Sequence, residues 1–259
     1  MSDFDRNYAT ATRVGAGRVA AVDAGLRAYM IRVYNYMAVG LAITGLMAFG
    51  AYTLSVTTDP ALAAAKLPNG LMLTSLGYAL FISPLKWVVF LAPLGIVFLL
   101  SARINRMSTA SAQMAFWVFA AVLGISLGSI FMVFTYTSIA RVFFITAASF
   151  GALSLYGYTT QRDLSPFGSF LMMGVFGIIL AGIVNIFLAS SALQFVISVV
   201  GVLVFAGLTA WDTQRIKEMY DVHDDGTMTG RKAIMGALSL YLDFINMFTF
   251  LLQLFGDRR

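Results

Sequence analysis

The sequence predicts an all-α integral membrane protein, a bundle of seven transmembrane helices, and three observations carry that reading. Of its 259 residues 59% are hydrophobic, only 11% are charged, and the apolar residues gather into seven long runs. Soluble domains carry roughly 45–50% apolar and about 25% charged residues. With a mean hydropathy of +0.84, the chain has more apolar surface than a soluble fold of this length could hide. The runs cover residues 34–56, 87–102, 112–135, 142–158, 167–189, 192–211 and 233–255. Each approaches the ~20 residues a helix needs to cross ~30 Å of hydrocarbon, although the second and fourth are short. A bilayer imposes the helical form, because backbone polar groups there must bond within their own segment. A transmembrane barrel would instead show alternating strands of ~10 residues.

In chain order, residues 1–33 form a tail with Arg6, Arg13, Arg18, Arg27 and Arg32 and no apolar core, unlike a cleavable secretory signal. Residues 34–259 then form a single seven-helix domain. After the first run, residues 57–86 make a long connection whose apolar piece, Gly70 to Ile82, is too short to span and is expected at or in the interface. In the third run Gly124 and Gly128 form a small-xxx-small pair, read as ordinary close packing between helices. Trp87 and Trp211 fall at predicted span ends, as interfacial anchors do.

The net charge of +5 does not mark a nucleic-acid binder, since the basic residues are spread between apolar blocks and form no dense patch. They read as topology signals. With the N-terminus inside, the cytoplasmic side receives Arg6, Arg13, Arg18, Arg27, Arg32, Arg103, Arg106, Arg162, Arg215, Lys217, Arg231 and Lys232. The outer side receives Lys66, Lys86, Arg141, Arg258 and Arg259. Arg258 and Arg259 fit this rule poorly if the seventh segment crosses fully, so a re-entrant last segment stays open beside a spanning one. Cysteine is absent, which removes disulfides, thiolate metal sites and cysteine nucleophiles.

Inside a span a charge costs about 2.5–3.5 kcal/mol on insertion scales, so polar residues within the apolar runs are the informative ones. Asp243 lies in the middle of the last run. Steps of four and three residues align Ser239, Asp243, Asn246, Phe250 and Gln253 on one helical face. The sixth run has a matching line of Gln194, Ser198, Gly201, Phe205, Thr209 and Asp212, and Asn185 in the fifth could join them. A carboxylate short of water can escape its cost by binding a proton, which makes Asp243 a candidate proton switch. If Asp212 lies close by, the two titrate as one unit, and when both ionise their oxygens suit a hard cation such as Ca²⁺. Geometry raises one obstacle. A seventh helix starting near 232 puts Asp243 ~16 Å below its entry while Asp212 sits near the surface, so contact needs a tilt, a late start or a water-filled vestibule.

The loop from Asp221 to Gly226 mimics part of a calcium-binding loop, but position twelve is Lys232 where a glutamate is required, so it reads as a solvated acidic turn. His223 is the only histidine. No histidine pair exists to bind zinc, and His223 reads as a loop residue.

Three stretches, GIVNIF at 182–187, AWDTQRIK at 210–217 and SLYLDFINMFTFLLQLFG at 239–256, resemble the Bax inhibitor-1 family, also known as the transmembrane Bax-inhibitor-motif family. GISLG at 124–128 is a weaker echo. The resemblance implies a bacterial member with seven helices and a multi-pass inner-membrane location. It also implies pH-sensitive calcium leak, a role in stress response and modulation of a membrane-bound quality-control protease. It maps the family's two pore aspartates onto Asp212 and Asp243, the pair the stripes select, and implies a latch arginine that is either Arg103 or Arg106. The expected function is therefore a cation leak pathway, Ca²⁺ being the permeant ion, gated by protonation of Asp212 and Asp243, with Asn185, Ser239 and Asn246 as supporting polar groups. No cofactor and no enzymatic activity are expected: residues Leu240, Tyr241 and Leu242 before Asp243 do not match the GxGD motif of intramembrane aspartyl proteases. The competing reading is an interaction protein that restrains a membrane protease or another membrane partner.

Overall fold

In a computed structural model the described backbone comprises residues 3–259, with side chains described from residue 24 onward. The sequence-predicted tail 1–33 therefore falls largely outside the described side chains, with Arg6, Arg13 and Arg18 among them. The chain runs α1 (Asp3–Ser55), β1 (Val56–Thr57), β2 (Ala65–Lys66), β3 (Met72–Leu73), α2 (Ser75–Phe81), α3 (Leu85–Arg103), α4 (Thr109–Leu127), α5 (Ile130–Val133), α6 (Tyr136–Thr159), α7 (Ser165–Leu188), α8 (Ser191–Glu218) and α9 (Gly226–Phe255). Among the described residues seven segments are long and apolar enough to cross a bilayer: Ala24–Ser55, Leu85–Arg106, Thr109–Val133, Tyr136–Thr159, Ser165–Leu188, Ser191–Glu218 and Gly226–Phe255.

The helices outrun the apolar runs, because they continue through the polar residues that flank them. α1 runs unbroken into the first apolar run, and Tyr29, Met30 and Val33, ahead of that run, are already buried. At the other extreme α8 passes through Trp211 and Asp212 to Glu218. Trp211 lies about 30 Å along α8 from Ser191. It packs beside Gly168 of α7 and under the Arg215 guanidinium, 4.7 Å from its ring.

The last segment is one uninterrupted helix of 30 residues, so the re-entrant alternative is set aside. It occupies the centre of the bundle: 61% of its most apolar window is buried, against 6% for α7 on the rim. Arg258 accordingly lies at the far end, paired with Phe134 in an isolated β-bridge, and Arg259 donates to the Phe134 carbonyl.

Because lipid tails are as apolar as leucine, close approach and interhelical hydrogen bonds hold such a bundle. A side chain at Gly124 of α4 would strike the Thr44 carbonyl of α1, and one at Gly157 of α6 the Ala210 carbonyl of α8. The expected small-residue packing of Gly124 and Gly128 is therefore seated on α1. Thr44 bonds the buried Tyr241 hydroxyl at 2.6 Å, tying α1 to α9.

The long connection after α1 has secondary structure of its own. It folds as a three-stranded antiparallel sheet in the order β1-β3-β2, followed by the short α2, which contains most of the apolar piece from Gly70 to Ile82. Two-residue strands leave no periodicity to read.

Candidate functional site: a buried carboxyl pair

α8 and α9 are neighbours in sequence and run antiparallel. Their register is set by small residues facing large ones: Gly236 against Ile216, and Gly201 against Phe250. At the far end Ser198 donates to Gln253 at 3.0 Å. That register puts Asp243 about one helical turn, ~5 Å, deeper than Asp212. The obstacle raised by the sequence disappears because α8 extends past Asp212 by six residues, which carries Asp212 inward from the helix end toward the level of its partner.

Asp212 is 6% exposed and Asp243 4%. Their carboxyls lie within hydrogen-bonding reach of each other. Asp243 Oδ2 has no hydrogen-bond donor among the described residues. Arg215, one turn along α8, places its NH2 2.8 Å from Asp212 Oδ1, an ion-pair contact without hydrogen-bond alignment. Two buried carboxylates this close repel, and a proton on one supplies the donor that the pair lacks.

A cavity of about 370 Å³ opens at the end of the bundle where α8 terminates and α9 starts, lined by residues about one helical turn from Asp212 and Asp243 along their own helices. Ile104, Asn105, Arg215, Arg231 and Ser239 are among its lining residues. Ser239 lies in that lining, one turn before Asp243 on α9. Arg231 braces the cavity by donating to the Asn105 carbonyl at 2.9 Å.

In the opposite direction the seam turns apolar. Phe205 and Phe250 stack with centroids 6.0 Å apart, and Met247 is 1% exposed. Beyond them a second polar group reappears: Asn185 donates to Gln194 at 3.1 Å, and Gln194 and Ser198 both donate to Gln253. Asn185 therefore belongs to this distant cluster, not to the aspartates. Asn246 donates to the Leu242 carbonyl of its own helix at 2.8 Å.

Arg103 and Arg106 lie at the end of the second span, both exposed, and neither forms an ion pair among the described residues. The arginine on the aspartate pair is Arg215. In the sequence Arg215 reads as a topology charge, although its i+3 spacing from Asp212 is also an ion-pair signal. No cluster of three or more carboxylate, histidine or cysteine side chains occurs among the described residues, so the donors available to a cation at this point are the two carboxyls and neighbouring hydroxyls such as Ser239.

The acidic turn is structural at both ends. Asp225 caps α9 by accepting from Met228 N–H at 2.6 Å, and Lys232 pairs with Asp224. The backbone N–H and ring of His223 hold the exposed Asp221 carboxyl below the ordinary carboxylate range.

Fold and site together define a seven-helix membrane protein with two carboxyls enclosed between its last two antiparallel helices. The family profile described as "Inhibitor of apoptosis-promoting Bax1" matches residues 26–259. The inner membrane protein YbhL of Escherichia coli strain K12 is 43% identical over 238 residues, covering 91% of this chain and 94% of its own. An uncharacterized protein of Caulobacter vibrioides is 42% identical over 261 residues and the full length of both chains, and the uncharacterized protein RP147 of Rickettsia prowazekii is 41% identical over 250 residues, covering 96% of this chain and 98% of its own. The chain belongs to the Bax inhibitor-1 family.

Proposed function

We propose that this protein is a pH-sensitive cation leak pathway, with Ca²⁺ as the permeant ion, gated by the shared protonation of Asp212 and Asp243. The observation that carries the reading is the enclosure of two carboxyls, 6% and 4% exposed, on antiparallel helices within hydrogen-bonding reach. Holding one proton, the pair ties α8 to α9. With both carboxyls ionised, the seam repels itself, takes up water from the adjoining cavity and offers oxygen ligands to a hard cation. The Phe205–Phe250 stack is the closed barrier beyond the pair.

The cavity-bearing end, which carries Arg103, Arg106, Arg162, Arg215, Lys217, Arg231 and Lys232, is assigned to the cytoplasm by the enrichment of basic residues in inner loops. The YbhL relative's description as an inner membrane protein supports the same compartment here. The protein acts without chemistry of its own: Leu240, Tyr241 and Leu242 give Asp243 no protease-like glycine motif.

Calcium flux into liposomes reconstituted with pure protein, read from pH 6 to pH 8, tests the proposal. Wild-type flux rises as the pair ionises. Asp243→Asn, whose amide donates to Asp212 without any titratable proton, holds the seam shut and gives a low, flat profile. An unchanged profile in Asp243→Asn refutes gating by the pair. Absence of flux in every form, with a membrane protease co-purifying regardless of both aspartates, would instead establish the interaction protein.

A further inference from the structure

A groove of about 600 Å³ runs between α1 and α6 and shares no lining residue with the cavity at Arg215 and Ser239. Its walls are Met30, Ile31, Phe150, Gly151 and Leu155, and Arg27 and Tyr158 stand at one end. Ile31 and Leu155 form exposed lips at 49% and 63%. Gly151 faces open space, with no atom near where a side chain would begin.

The polar groups on the floor make no demand on an occupant. The Tyr34 hydroxyl bonds Ser154, and Ser154 bonds Thr213 of α8 at 3.0 Å. What remains is a slot with an apolar interior. Its length is ~10 Å along α1 from Arg27 to Tyr34 and ~12 Å along α6 from Phe150 to Tyr158, close to the ~15 Å of hydrocarbon in one leaflet.

The charged end is distinctive. Arg27 is exposed and forms no ion pair among the described residues. Lys217 donates to the Tyr158 carbonyl at 2.9 Å and sits 5.5 Å from the centre of its ring, leaving two ammonium protons for another acceptor. Arg27 thus lines the end of a chain-length apolar slot, and Lys217 stands against Tyr158 at that same end. Basic pockets between transmembrane helices at that depth suit anionic headgroups.

We propose that this groove is a binding site for an anionic phospholipid of the surrounding bilayer, one acyl chain lying over Phe150 and Gly151 and the phosphate between Arg27 and Lys217. The site is independent of the ion pathway, so each can fail without the other.

The full-length protein in detergent, incubated with dioleoylphosphatidylglycerol or dioleoylphosphatidylcholine and read by native mass spectrometry, tests it. Wild type is expected to retain the anionic lipid about fivefold over the zwitterionic one. Arg27→Gln brings the two to parity. Gly151→Phe fills the slot and removes retention of both, while helical content by circular dichroism stays unchanged. Equal retention of the two lipids by wild type overturns the proposal, as does retention that survives both substitutions. A dimer that Gly151→Phe dissociates, with no lipid adduct in any form, assigns the groove to a second copy of the chain and overturns it equally.

Discussion

Replacing Arg215 with glutamine isolates the electrostatic control of the proposed switch. The guanidinium lies 2.8 Å from Asp212 Oδ1 and is 46% exposed on its side chain, while Asp212 is nearly enclosed. Charges about 4 Å apart in a surrounding of effective dielectric about 20 attract by about 4 kcal/mol. A half-exposed arginine is screened by water and salt, which reduces this to about 1–2 kcal/mol. One pH unit corresponds to about 1.4 kcal/mol. The sign follows from what the cation favours: Arg215 stabilises the ionised pair, so its loss makes the proton harder to remove. Arg215→Gln is therefore expected to move the midpoint of calcium flux against pH upward by about one unit, and Arg215→Lys, which keeps the charge, by less than half of that. The assay is flux into reconstituted liposomes at fixed salt, with Trp211 fluorescence as a local reporter since its ring lies beneath the guanidinium. A midpoint that stays in place or falls in Arg215→Gln would refute the electrostatic reasoning.

Other expectations follow from the same seam and its surroundings. Phe250→Ala removes the stacked barrier above the carboxyl pair and should raise flux at pH 6, where wild type is closed; liposome flux at that pH checks it. Thr44→Val strands the enclosed Tyr241 hydroxyl and should lower thermal stability in detergent by about 1–3 kcal/mol. Tyr241→Phe should cost less, because Thr44 keeps its bonds to the Gly40 and Ala120 carbonyls. At the start of α7, the exposed Asp163 carboxyl accepts the Ser165 N–H at 2.8 Å, which holds it below the ordinary carboxylate range. Its contribution is present above about pH 4 and is lost as pH falls through its folded value. Asp163→Asn keeps an acceptor that does not titrate, so acid denaturation should separate it from wild type only below about pH 4.

The spans were legible because a bilayer leaves few alternatives for long apolar runs. Their ends were not, because Arg27, Asp212 and Arg215 looked like boundaries while the helices continue through them. Asp243 stood out in the sequence by cost alone. Its partner also stood out by periodicity, yet their closeness was hidden by a misjudged end of α8: a helix stopped at 211 leaves Asp212 at the surface, and one carried to Glu218 takes it inside. The polar stripes were real as buried faces but mixed two sites, since periodicity assigns a face and not a depth. Asn185 thus joined the aspartates in sequence and Gln194 in space. Arg215 carries its i+3 spacing from Asp212 in the sequence, but a basic residue at a span end has the same appearance whether it pairs with a buried acid or faces the cytoplasm.

Infrared difference spectroscopy of the protein in liposomes, between pH 6 and pH 8, addresses the shared proton itself. A protonated-carboxyl band present at pH 6, lost by pH 8 and missing from Asp243→Asn is the predicted result. A spectrum with no protonated carboxyl at pH 6, or a band that persists in Asp243→Asn, would contradict it.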